Sequence, residues 1–95
     1  MQELRAELGA AVDEAEWSWL APHAKRDAVI VVDLGLDLVE VGVAITNDDI
    51  PLVHRWIAEA QIQKPSPAQL GDWNLNQTKR FHALIVQPYV LVQEI

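Results

Sequence analysis

The chain has 95 residues, a mass of 10.6 kDa, no cysteine, and 14 acidic against 7 basic side chains, a formal net charge of −7. That length allows one domain over residues 1–95, and the missing thiols exclude a disulfide scaffold or thiolate chemistry and fit a reducing compartment. A pI near 4.7 argues against nucleic acid and against anionic membrane surfaces, both of which select lysine and arginine.

Apolar and aromatic residues make up 51% of the chain, more than so small a domain hides easily within one subunit, and this excess points to a homo-oligomer. The longest unbroken apolar run is AVIVV at 28–32, far short of the roughly 20 residues that cross a bilayer. Met1-Gln2-Glu3-Leu4-Arg5 opens the chain with no apolar signal core behind it, so the expected location is the cytoplasm.

In chain order, Leu4, Leu8, Ala11 and Val12 recur at helical spacing and predict a first helix over 2–12. Asp13 and Glu16 form a capping-box pattern, with Val12 and Trp17 at the flanking staple positions, and predict that a second helix starts at Asp13. Trp17, Leu20, Ala21 and Ala24 are its inner face, and Pro22 must kink or restart it. Trp19 falls about 200° away from Trp17, on the side shared with Pro22 and His23. Either the C-terminal segment covers Trp19 or it is exposed, and an exposed tryptophan is a favoured interface anchor, so Trp19 and His23 are the candidate interface residues.

Residues 28–33 are β-branched and apolar, the pattern of a strand covered on both faces. Asp33 and Asp37 bracket a turn, and residues 38–46 (LVEVGVAIT) alternate, with Val39, Val41, Val43 and Ile45 on one side and Leu38, Glu40, Gly42, Ala44 and Thr46 on the other. This predicts a β-hairpin over 28–46. Asn47-Asp48-Asp49 and Pro51 start a further helix whose buried face is Val53, Trp56, Ile57 and Ala60. Ser66, Pro67 and Gln69 start another, with Leu70 and Trp73 inward, and Asn76 is placed to cap one more turn through Arg80. The C-terminal segment predicts two strand pieces, 82–87 and 89–94, bent at Pro88, with a helix over 77–83 as the rival.

Little in the chain carries catalytic chemistry. His23, His54 and His82 match no metal-ligand spacing, the four glycines are isolated, and neither serine sits in a nucleophile context. No cofactor or metal is expected. Asp33, Asp37 and Glu40 are the available carboxylates, and turn aspartates ordinarily bond the backbone. The one constellation that could hold a small ligand is Glu40 with Arg80 and His82 across the sheet, and Gln87 nearby. Of the four tryptophans, Trp17, Trp56 and Trp73 fall on inner faces.

The stretches AEWSWLAPHA at 15–24, VVDLGLDLVEVGVAI at 31–45, KPSPAQL at 64–70 with Trp73, and RFHALIVQPYVLVQE at 80–94 resemble the small bacterial family known as domain of unknown function 2288. The resemblance spans nearly the whole chain. It implies a short single-domain protein with no assigned activity, cofactor or catalytic residue, so it transfers no role to any position.

The sequence therefore predicts an α+β fold, a small and mainly antiparallel sheet built on the 28–46 hairpin and the C-terminal strands, with three or four helices on one face. It predicts a non-catalytic cytoplasmic protein that acts through protein–protein contacts, a homodimer in the first instance. The alternative is a small-ligand sensor or enzyme working at Glu40, Arg80, His82 and Gln87.

Overall fold

The C-terminal segment forms the centre of the molecule. In the computed structural model, which describes residues 2–95, Arg80–Val86 (β4) and Tyr89–Glu94 (β5) make an antiparallel hairpin, with Gln87 and a cis-linked Pro88 as its turn. Proline has no N–H to give a ladder, and the turn is where that costs nothing. The rival helix over 77–83 is excluded, because the ladder begins at Arg80, and Asn76 opens one turn over 76–79, where its carbonyl accepts from the Lys79 N–H at 3.0 Å and its Oδ1 from the Thr78 hydroxyl at 3.2 Å.

Val29–Val32 (β2) joins β5 in parallel, and the two-residue Ile62–Gln63 (β3) closes that side antiparallel to β2. On the other side Asp13–Glu16 (β1) pairs antiparallel with β4, giving the order β1-β4-β5-β2-β3. The sheet is thus mixed and mostly antiparallel, and the fold is α+β. The helices are Gln2–Ala11 (α1), Trp17–Lys25 (α2), Leu38–Thr46 (α3), Ile50–Ala58 (α4) and Pro67–Asn74 (α5).

Alternation along the strands sends successive side chains to opposite faces. Val29, Val31, Phe81, Ala83, Val90 and Val92 meet Trp17 and Leu20 of α2 and Trp73 of α5. Val32, Leu84, Val86 and Leu91 meet Leu38, Val41 and Ala44 of α3 and Trp56 of α4, with Leu8 of α1 against them. Helices therefore cover both faces, five of them among the described residues, where three or four on one face were expected. In the first cluster the rings of Trp17, Trp73 and Phe81 form a triangle with centroids 5.0, 4.9 and 5.9 Å apart. The Trp17 indole N–H donates to Asn74 Oδ1 at 2.8 Å, so this fully buried ring keeps a partner for its one polar atom.

Three further expectations are corrected. Residues 38–46 are a helix, so the 28–46 hairpin does not exist. The segment carries two periods at once: Val39, Val41, Val43 and Ile45 alternate, while Leu38, Val41, Gly42 and Ile45 recur at helical spacing. The end signals decide it. Asp37 accepts from the Val39 N–H at 2.9 Å, and beyond Thr46 the chain turns off through a left-handed Asp48.

Second, no helix begins at Asp13. Residues 13–16 add to the open edge of β4, and α2 starts at Trp17 with no side-chain cap at Glu16 and with Pro22 accommodated inside it. Third, Ile57 and Ala60 are exposed rather than buried, while Val53 is half-buried and Trp56 is in the core. The Ser66–Gln69 capping box and the inward tryptophans 17, 56 and 73 are as the sequence predicts.

Candidate functional site

Strand β4 sets Arg80 and Gln87, two of the four residues expected around a ligand, at its opposite ends. Arg80 opens the strand and Gln87 lies just beyond its end, a separation of about 23 Å at the usual rise of about 3.3 Å per residue. The Arg80 guanidinium bonds Glu14 of β1 at 3.3 Å, not Glu40. His82 is exposed, with Glu14 and Gln93 as its cross-strand neighbours. Gln93 is occupied: its amide donates to the Asp33 and Leu36 carbonyls at 2.9 and 2.7 Å and clamps the β2–α3 loop onto β5. Glu40 stands exposed in the first turn of α3. Arg80 and His82 thus share a surface with Glu14, while Gln87 is at the far end of the sheet.

Of the two candidate interface residues, Trp19 is 68% exposed on the outward side of α2. His23 is half-buried, and its Nδ1 accepts from Arg26 Nη2 at 2.7 Å.

A feature that sequence reasoning missed is a groove of about 630 Å³ where α3 meets α4. Its floor is Ile30, Ile62 and Tyr89 from three adjacent strands, and its α4 wall is Ile50, Val53 and Ile57. Ile50 and Ile57 are 59% and 55% exposed, one on each side of His54 along the same helix stripe. Asp48 and Asp49 stand at the α3–α4 turn on its rim, and Lys64 at the end of β3. Asp49 is also the N-cap of α4, accepting from the Leu52 N–H at 3.4 Å, and Lys64 is paired with Asp27 at 3.5 Å. The signal for the groove was present in the sequence: Ile50, Val53, His54 and Ile57 stand at i, i+3, i+4, i+7, a second stripe on α4 beside the one that buries Trp56.

Among the described residues no group of three or more histidine, aspartate and glutamate side chains is placed to hold a metal ion, and no helix is long and apolar enough to cross a membrane. What remains is a small α+β domain with an exposed tryptophan on one layer and an apolar groove on the other.

The chain belongs to the family described as "Protein of unknown function (DUF2288)", whose match runs over residues 3–94. It is similar to the NMR solution structure of PA1075 from Pseudomonas aeruginosa, at 31% identity and a TM-score of 0.81, over 99% of this chain and 86% of that one. Among curated proteins none matches the chain.

Proposed function

We propose that the chain is a non-catalytic, cytoplasmic binding protein that works through protein–protein contact, and that its first partner is a second copy of itself. The observation that carries this reading is Trp19, a large apolar side chain held 68% exposed on the outer side of a helix whose inner side is fully engaged. Tryptophan at the centre of an interface is the commonest kind of anchor.

The two edges of the sheet favour a helix-face contact over strand addition. Edge strand β1 reads Asp-Glu-Ala-Glu, and edge strand β3 is two residues long with Pro65 close behind it. Charges, brevity and proline are the devices that blunt strand pairing between molecules. The separation of Arg80 from Gln87 along β4, with Arg80 paired to Glu14, favours contact over catalysis as the working principle.

Size-exclusion chromatography with light scattering at micromolar concentration tests the reading. The wild type should run at twice the chain mass of 10.6 kDa and the Trp19→Ala variant at the chain mass. An anchor of this kind is worth at least about 2 kcal/mol, roughly a thirtyfold weakening of the dimer. A wild type that is monomeric under those conditions contradicts it.

A further inference from the structure

The groove between α3 and α4 lies on the opposite side of the sheet from α2, so the proposed contact through Trp19 leaves it open. Its volume of about 630 Å³ falls inside the range of roughly 300–1,000 Å³ typical of small-molecule sites, which are concave, mostly apolar and carry few polar groups. Its lining is mostly isoleucine, valine and alanine, with His54, Gln63 and Tyr89 as polar groups beside the charged Asp48, Asp49 and Lys64. Ile30 is only half-buried although its β2 neighbours Val29, Val31 and Val32 are buried, because the groove lies over it.

The rim selects the head group. Asp48 and Asp49 are exposed carboxylates on the α3–α4 turn. The ammonium of Lys64 is the positive charge on that rim, and Asp27 already neutralises it at 3.5 Å. Asp48 and Asp49 outnumber Lys64 among the formally charged side chains that line the groove with His54, so the formal charge at the mouth is negative, on a chain whose net charge is −7 and whose field draws in cations. A carboxylate head would meet two carboxylates. An ammonium head would find them as acceptors.

We propose that this groove binds a cationic amphiphile, a small molecule with an apolar alkyl or aryl body and a single amine head. The body lies against Ile30, Ile57 and Ile62, and the head reaches Asp48 and Asp49. The cavity makes the site, and the two acids choose the ligand.

The test uses octylamine, octan-1-ol and octanoate as probes, each titrated into the full chain and followed by the amide NMR shifts of the groove. Octylamine should bind most tightly, octanol more weakly, and octanoate most weakly. Raising the salt should narrow the gap between amine and alcohol, since the rim charges are open to screening. Asp48→Asn suits a residue with a φ of 53°, where asparagine is well tolerated, and should weaken octylamine about threefold while leaving octanol unchanged. Ile57→Ser should weaken both.

Equal binding of the three probes overturns the choice of head group. Binding of none overturns the site. If, in addition, Ile57→Ser halves the molecular mass in solution while Trp19→Ala does not, the groove is an interface between copies. The proposed homodimer fails on a different reading, the light-scattering mass of the wild type, so the two can be told apart.

Discussion

Gly42 on α3 and Leu84 on β4 touch so closely that a Cβ placed on Gly42 would stand 2.8 Å from the Leu84 Cδ2 atom, with Leu8 of α1 at 3.3 Å and Val86 at 3.4 Å. Leu84 is fully buried, so its methyl has nowhere to retreat. This contact fixes how closely α3 approaches the sheet at Gly42. Gly42→Ala gains about 1 kcal/mol of helix propensity but overpacks a close-packed site at about 1–3 kcal/mol. The net expectation is a loss of about 1 kcal/mol, and a larger one for Gly42→Val. Gly71 on α5 has nothing within 4 Å of a Cβ, so Gly71→Ala should stabilise by about 0.5–1 kcal/mol. Urea midpoints at unchanged slope read both, and equal signs for the two alanines would refute the packing argument.

The bond between Trp17 and Asn74 ties α2 to α5 behind the face that carries Trp19. Removing the Asn74 side chain leaves the indole N–H of a fully buried ring without its partner. Asn74→Ala should therefore cost about 1–3 kcal/mol although Asn74 itself is exposed. A change within about 0.5 kcal/mol, the ordinary surface value, would show that water replaces the amide.

Three helices end without glycine. After α2, α3 and α4 the chain turns off through Asp27, Asp48 and Ala60, at φ values of 58°, 53° and 57°. Each end carries the paired reverse bonds of a Schellman motif. After α4 these are Gln61 N–H to Trp56 C=O at 2.8 Å and Ala60 N–H to Ile57 C=O at 3.0 Å. Aspartate tolerates the left-handed region, whereas alanine pays about 1–2 kcal/mol to occupy it. Glycine's extra freedom in the unfolded chain returns about 0.4–1 kcal/mol of that. Ala60→Gly should raise stability by about 0.5–1 kcal/mol, seen as a higher thermal midpoint, and a lower midpoint would contradict the account.

The same local pattern appears twice in this sequence with opposite results, which marks what the sequence could and could not disclose. Asp13-x-x-Glu16 and Asp37-x-x-Glu40 both have the spacing of a capping box with apolar flanks. The second starts α3, yet alternation in residues 38–46 reads as a strand. The first starts nothing, because β4 offers an edge to pair with and Arg80 a partner for Glu14. Local signals were sufficient where a cap, a period and a proline agreed, as at Ser66–Gln69 and across the β4–β5 turn. They failed where two periods overlapped or where a partner distant in sequence decided. The angle of Trp19 on α2 took it off the inner face but left exposure and burial under the C-terminal segment both open; β4 and β5 pack on the Trp17 side of the helix, and Trp19 is exposed. The groove did not follow from the sequence, because its floor comes from three strands whose order no local pattern carries.

Trp19 itself reports on the central claim. Trp17, Trp56 and Trp73 are buried, so quenching of tryptophan fluorescence by acrylamide in this chain reads chiefly residue 19. As the wild type is diluted from high micromolar to nanomolar concentration, the quenchable fraction should rise and the emission shift to the red as Trp19 leaves the interface, with no such change in Trp19→Ala. A wild-type signal that is accessible and constant over the whole range would contradict the account.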